Sequence, residues 1–274
     1  MKLSISHHTY YLYSEPVLLH DHLLRFRPRH SRYQNLDSYM LTIAPEPIKQ
    51  YFVQGIDGSL AQRVQFDQRI RELSILSTSI VTTENPHIET ASISLPLRYS
   101  PSEVAMLTPF LEPLTDQFIL KQFTEEWIVL SKYKALTFLT LLNSELSRII
   151  DKEYREFGWP YPPEETFQRR AGSCRDTAML WIALVRYAGI AARFVSGYIY
   201  DESRADNSEL HAWGEAYLPG IGWIGYDPSY GILVSQRHVE ICAASVPELC
   251  APIEGSFQGI AETNLLTQVT IKEL

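Results

Sequence analysis

Hydrophobic periodicity changes twice along this chain, and the order of the changes restricts the fold more than any other feature. Up to about Tyr99 the segments are short, rich in β-branched and aromatic residues and punctuated by turns, as in Thr9-Tyr10-Tyr11-Leu12-Tyr13, Leu41-Thr42-Ile43 and Ile80-Val81-Thr82-Thr83. Turn chemistry agrees at Ser14-Glu15-Pro16 and at Asp57-Gly58, where glycine accepts the positive φ of a tight hairpin. Over residues 134–157 the pattern becomes helical, with Leu136, Leu139, Leu142, Leu146, Ile149 and Ile150 recurring at three and four positions before Trp159-Pro160-Tyr161-Pro162-Pro163 stops it. A helical turn over 164–170, ended by Gly172, and a helix over 174–187 with Gly189 just beyond it follow. Segments 193–200, 211–218 and 223–227 then read as strands, separated by the polar stretch 201–209 and the turn Pro219-Gly220-Ile221-Gly222.

The expected class is α+β: a mostly β N-terminal domain, then a unit in which a helix packs on an antiparallel sheet. Pro101, Pro109 and Pro113 interrupt regular structure between Ser100 and Asp116, so the boundary is placed there, giving domains 1–105 and 106–274, the second ending in a strand around Val269-Thr270-Ile271. With 274 residues the chain buries a sizeable core without cross-links. No stretch approaches the ~18 consecutive apolar residues of a membrane span. A formal net charge of -8 disfavours nucleic acid and anionic lipid as partners, because both are held by cation–phosphate attraction. Met1-Lys2-Leu3-Ser4-Ile5-Ser6-His7-His8 has no apolar core of the secretory kind, and three cysteines cannot all pair with one another, so a reducing, cytoplasmic setting is expected.

Those cysteines are not equivalent. In Gly172-Ser173-Cys174-Arg175-Asp176-Thr177 a glycine breaks one helix and Ala178, Ile182 and Val185 begin the apolar face of the next, which puts Cys174 in a first turn. Unsatisfied N–H groups and the positive end of the helix dipole favour a thiolate there, and the thiolate is the nucleophile. In 211–218 the alternation places His211, Trp213, Glu215 and Tyr217 on one face of a strand. Asp227 closes the next strand. A hairpin loop over 217–221 sets Gly222 opposite Ala216 and Asp227 opposite His211, where a carboxylate fixes the imidazole tautomer. A loop over 219–222 instead sets Asp227 opposite Gly214 and separates the pair, so the longer loop or an equivalent bulge is expected. Arg175 and Asp176 are candidates for supporting the site, and Arg193 for a structural ion pair. Cys242 and Cys250 have no zinc spacing with His238, and His7-His8 and His20–His22 lack a matching ligand cluster, so neither metal nor cofactor is expected.

Four blocks, Ala171-Gly172-Ser173-Cys174-Arg175-Asp176, then Gly189-Ile190-Ala191-Ala192-Arg193-Phe194-Val195-Ser196-Gly197-Tyr198, then His211-Ala212-Trp213, then Trp223-Ile224-Gly225-Tyr226-Asp227-Pro228, occur in an order that resembles the transglutaminase-like core. The β-rich first hundred residues, with Arg25-Phe26-Arg27-Pro28-Arg29 and Asp57-Gly58, resemble the N-terminal domain that accompanies this core in bacterial members. The resemblance implies a papain-like fold with Cys174 as nucleophile, His211 as base and Asp227 as orienting acid. It implies cysteine-dependent acyl transfer on peptide or glutamine-type amides through a thioester, with hydrolysis by a peptidase or amidase expected ahead of cross-linking by a protein-glutamine gamma-glutamyltransferase; the alternative is a non-catalytic binding protein on the same fold. A protein or peptide is the implied partner. Trp159, Tyr198, Trp213 and Trp223 are the candidates for a substrate groove.

Overall fold

In the computed structural model, which describes residues 1–55, 57–87, 93–155 and 157–274, β structure comes first, helices follow and a second sheet completes the chain. The first part holds β1 (Lys2–Leu19), β2 (His22–Leu24), β3 (Gln34–Ala44), β4 (Lys49–Gln54), β5 (Leu60–Gln65) and β6 (Arg69–Thr83). Alternation of buried and half-exposed positions over 3–10 in β1 and 73–83 in β6 is the period-two signature of a sheet that packs on one face. Helices α1 (Pro101–Leu111), α2 (Phe118–Leu130) and α3 (Ala135–Ile149) follow, then the short strand β7 (Asp151–Lys152), α4 (Pro163–Arg169), the short strand β8 (Ala171–Gly172) and α5 (Cys174–Tyr187). The remaining strands are β9 (Ala192–Ile199), β10 (Leu210–Leu218), β11 (Gly222–Asp227), β12 (Ile232–Leu233), β13 (His238–Ala244), β14 (Ile253–Glu254), β15 (Phe257–Gln258) and β16 (Thr263–Glu273).

Three sheets carry the architecture. Two belong to the N-terminal layer: one has the order β15-β1-β6-β3 with β16 also on β1, the other β14-β2-β5-β4. Tyr13, Val17, Leu19, Leu24, Phe26, Val64, Leu73 and Ile75 fill the space between them. The third, β12-β11-β10-β9-β13, is antiparallel and carries the helices. Strand β1 is long enough to serve both cores, since Leu3 and Ile5 at its start pack with α3, α5 and the third sheet.

Every residue of α5 from Asp176 to Arg186 is buried, as befits a helix surrounded by α2, α3, α4 and the sheet. Its approach to β10 is close enough that a Cβ on Gly214 would lie 2.3 Å from the Trp181 ring, so glycine is required there by contact.

Two expectations are corrected. The proline-rich stretch near residue 100 is α1, not a linker: Pro101 occupies the first helical position, where its missing N–H costs nothing, and Ser100 and Glu103 form a capping box. The final strand belongs with the N-terminal layer, because β16 pairs with β1 from Leu3↔Glu273 to Tyr13↔Thr263 and makes no ladder with the third sheet.

Candidate active site

The start of α5 is built around Asp176. Its Oδ2 accepts the backbone N–H of Ser173 at 2.7 Å and the Ser173 hydroxyl at 2.6 Å. Its Oδ1 accepts Arg155 Nη2 at 2.5 Å and the N–H of Tyr161 at 2.7 Å. A fully buried carboxylate with four donors is well compensated. The consequence is that the loop between β7 and α4 is tied to the helix that begins with Cys174. Arg175 adds to this by donating to the carbonyls of Arg155 (2.6 Å) and Phe157 (3.0 Å). Arg175 and Asp176 therefore tie the start of α5 to Arg155, Phe157 and Tyr161. Gly172 permits the tight turn, since a Cβ there would lie 2.8 Å from that of Asp176.

Cys174 is half-buried at the first position of α5, so its own N–H has no intrahelical acceptor. Its thiol meets His211 of β10 and the backbone N–H of Ala212. His211 Nε2 lies 2.7 Å from Asp227 Oδ2, which leaves Nδ1 as the nitrogen available to the thiol. The hairpin adopts neither anticipated register. Leu218 pairs with Gly222 and Gly214 with Tyr226, so Asp227 comes opposite Trp213, two positions from His211. A shift of two keeps both side chains on one face, and the imidazole spans the diagonal of roughly 7–8 Å between neighbouring Cα positions.

His238, from β13, is the member that sequence reasoning passed over. Its Nδ1 accepts the N–H of Ser235 at 3.2 Å, so its proton is on Nε2, which donates to Asp227 Oδ2 at 3.2 Å. Asp227 Oδ1 accepts the N–H of Ser229 at 3.0 Å. Burial works against the Asp227 carboxylate, yet the charge and hydrogen bond of His211 and the bond from His238 hold its pKa far below the usual carboxylate range. Burial likewise opposes the imidazolium of His211, and Asp227 with Cys174 overcomes it, raising the pKa to about 10. Burial raises the thiol of Cys174, but His211, the Ala212 N–H and Arg175 bring it below its ordinary value. The three groups favour a thiolate beside an imidazolium backed by a carboxylate, an arrangement able to attack an electrophilic carbonyl and return a proton to the leaving group. His211, Asp227 and His238 also bring their ligand atoms within 4.8 Å of one another, but those atoms are already engaged in the hydrogen bonds just described.

The Transglutaminase-like superfamily profile matches residues 131–228, and the Bacterial transglutaminase-like N-terminal region profile matches residues 3–82. Residues 131–228 are thus a transglutaminase-like core, preceded by a region of the kind found before it in bacterial proteins. An uncharacterised Mycobacterium tuberculosis protein is 28% identical over 259 residues, covering 86% of this chain and 81% of its own. A Pseudomonas aeruginosa protein-glutamine gamma-glutamyltransferase is 36% identical over 73 residues, 24% of this chain and 11% of its own. Among solved structures, a candidate cysteine protease from Cytophaga hutchinsonii superposes with a TM-score of 0.74 at 19% identity, covering all of this chain and 91% of its own. That likeness establishes a shared fold.

Within this transglutaminase-like core the four groove candidates separate. Trp159 is 59% exposed on the loop tied to the start of α5, its carbonyl accepting Arg155 Nη1 at 2.9 Å. Tyr198 is buried and its hydroxyl meets His7 Nδ1 at 2.8 Å, joining the N-terminal layer to the third sheet. Trp213 is fully buried beneath His211 and edge-on to His238, with ring centroids 5.3 Å apart. Trp223 lies opposite Tyr217 at the far end of the hairpin, under the guanidinium of Arg193 and against Phe110. Tyr198 and Trp213 thus present no surface to a groove, and Trp223 is displaced along it. Arg193 has the structural ion pair expected of it, 2.6 Å to Glu215. Tyr230, in the turn after β11, is the aromatic residue that does stand at the site, its ring 5.6 Å from that of His211. Cys242 and Cys250 are free and buried away from it.

Proposed function

We propose that this protein is a cysteine-dependent amidase or peptidase, with Cys174 as nucleophile, His211 as general base and acid, and Asp227 as the group that orients His211. The observation that carries the reading is the place of His211 between two partners, with its Nε2 2.7 Å from Asp227 and its charge lowering the pKa of the thiol at the start of a helix. The thiolate adds to a carboxamide or peptide carbonyl, and the free N–H of Cys174 stabilises the oxygen that becomes negative. His211 gives its proton to the leaving amine, the C–N bond breaks and a thioester remains. Water then enters, His211 takes a proton from it, and the carboxylic acid and thiolate are released.

The Pseudomonas aeruginosa relative favours a second outcome of the same thioester, attack by an amine to give a new amide. The resting chemistry is tested by intact-protein mass spectrometry after brief, substoichiometric iodoacetamide treatment between about pH 5 and 9. One alkyl group at Cys174, acquired more slowly in His211→Ala, is expected. Preferential labelling of Cys242 or Cys250 would overturn the assignment. Ammonia release from a glutamine-containing protein without incorporation of a fluorescent primary amine supports hydrolysis, and incorporation supports transfer.

A further inference from the structure

Lys152 stands across the mouth of the site. In the parallel pair of β7 and β8 it lies opposite Gly172, two residues ahead of Cys174. Its side chain crosses to the other wall, where Nζ sits 3.5 Å from the centroid of the Tyr230 ring, itself against His211. A cation–π contact of this kind aims an ammonium group without neutralising it.

Among the described residues no carboxylate forms an ion pair with Lys152. Glu153, next in sequence, is taken by Arg169 at 3.1 Å, and Asp176 by Arg155. Asp227 and the Cys174 thiolate are the anions that act on Lys152 electrostatically, and Asp227 already has two imidazole partners. Arg175 has the same character on the helix side. Among the described residues its guanidinium donates to backbone carbonyls alone, and its Nε is buried without a hydrogen-bond partner. In a chain with net charge -8, Cys174 is therefore flanked by two cationic side chains, Lys152 and Arg175, that form no ion pair with a carboxylate among the described residues. Such a field concentrates anions at the cleft.

The geometry points to an anion subsite beside Cys174, with Lys152 as its charged group, that takes a carboxylate carried by the acyl donor close to the amide under attack. This assignment rests on the reading of Cys174 as the nucleophile and adds the substrate class: amides flanked by an acidic side chain or by a free chain-terminal carboxylate.

Iodoacetate and iodoacetamide test it, since they differ in charge and little in size. In the wild type, Cys174 is expected to favour iodoacetate, relative to iodoacetamide, more than a small free thiol does. In Lys152→Met the iodoacetate rate falls about tenfold further than the iodoacetamide rate, the scale of one charge pair at a partly screened site. Lys152→Arg keeps the preference. An unchanged ratio in Lys152→Met, or an equal fall of both rates, overturns the subsite. Absence of iodoacetamide labelling at Cys174 in the wild type instead defeats the underlying reading, so the two failures are distinct. Protection of Cys174 from iodoacetamide by acetyl-glutamate amide or by acetyl-glycine, lost in Lys152→Met, identifies the source of the carboxylate. Protection by neither overturns the substrate class.

Discussion

Asp227 Oδ2 accepts hydrogen bonds from two imidazoles at once, and their protonation differs. Burial lowers the pKa of His238, so it acts as a neutral donor, while His211 stays charged. The thiolate of Cys174 exists above its lowered pKa and is lost as pH falls through it, and the imidazolium needed by the leaving amine persists until about pH 10. A plateau between those limits is expected in a pH–rate profile. His238→Phe removes a hydrogen bond to a charged group, about 1.5–3 kcal/mol, and lets the Asp227 carboxylate turn away from His211. The acid limb of Cys174 alkylation should then move to higher pH by about one unit. His238→Gln, which retains a donor, should restore much of it, and an unmoved limb in His238→Phe would remove His238 from the site. Cys174 and His211 were legible in sequence because a helix start and a strand alternation are local patterns. His238 was not: it follows His211 by 27 positions, on a strand that reaches the site only through the order of the third sheet.

At the scale of elements, α5 was legible from end to end because Gly172 and Gly189 bracket an apolar run. Helix α3 ends at Ile149 instead of reaching residue 157, since Asp151-Lys152 leaves to pair with β8. Helix α1 was hidden by its own prolines, which read as breakers until the capping box is considered. The hairpin register was hidden because loop length, which sequence fixes poorly, decides it. The distance between Cys174 and His211 depends on how closely α5 lies on β10. Gly214→Ala would force the Trp181 ring away, costing about 1–3 kcal/mol by overpacking. Displacement by ~1 Å is enough to cost up to about 100-fold in rate. Thermal unfolding and Cys174 alkylation should therefore decline together, and retention of both would show that the helix can shift without loss.

At the scale of the whole molecule, a polar seam joins the N-terminal layer to the third sheet. Asp57 Oδ2 accepts the N–H of Ala243 at 2.9 Å, and Gln34 exchanges bonds with the backbone of Glu240 at 2.8 and 2.9 Å. Arg29 lies 3.8 Å from Asp57 and 3.9 Å from Glu240. Burial, with Glu215 beside it, pushes the Glu240 carboxyl up to about 7. The proton is thus held more tightly in the folded chain than in the unfolded one. The stability that it contributes is complete below the ordinary carboxyl range, near 4.5, and is lost as pH rises through about 7. Denaturant titrations of Glu240→Gln should show a weaker decline across that window than wild type. An identical decline would place the proton elsewhere.

Pairing of β16 with β1 has a consequence in time. Along the chain Thr263 follows its partner Tyr13 by 250 positions. At about 5–20 residues per second, a ribosome separates the two by roughly 12–50 s. Through that interval one edge of β1 is unpaired, and alternating apolar side chains stand beside open backbone donors and acceptors, the combination that invites another chain to dock. The layer that looks like an independent N-terminal unit is finished last, and its safe assembly depends on whatever shields a nascent strand until its distant neighbour emerges.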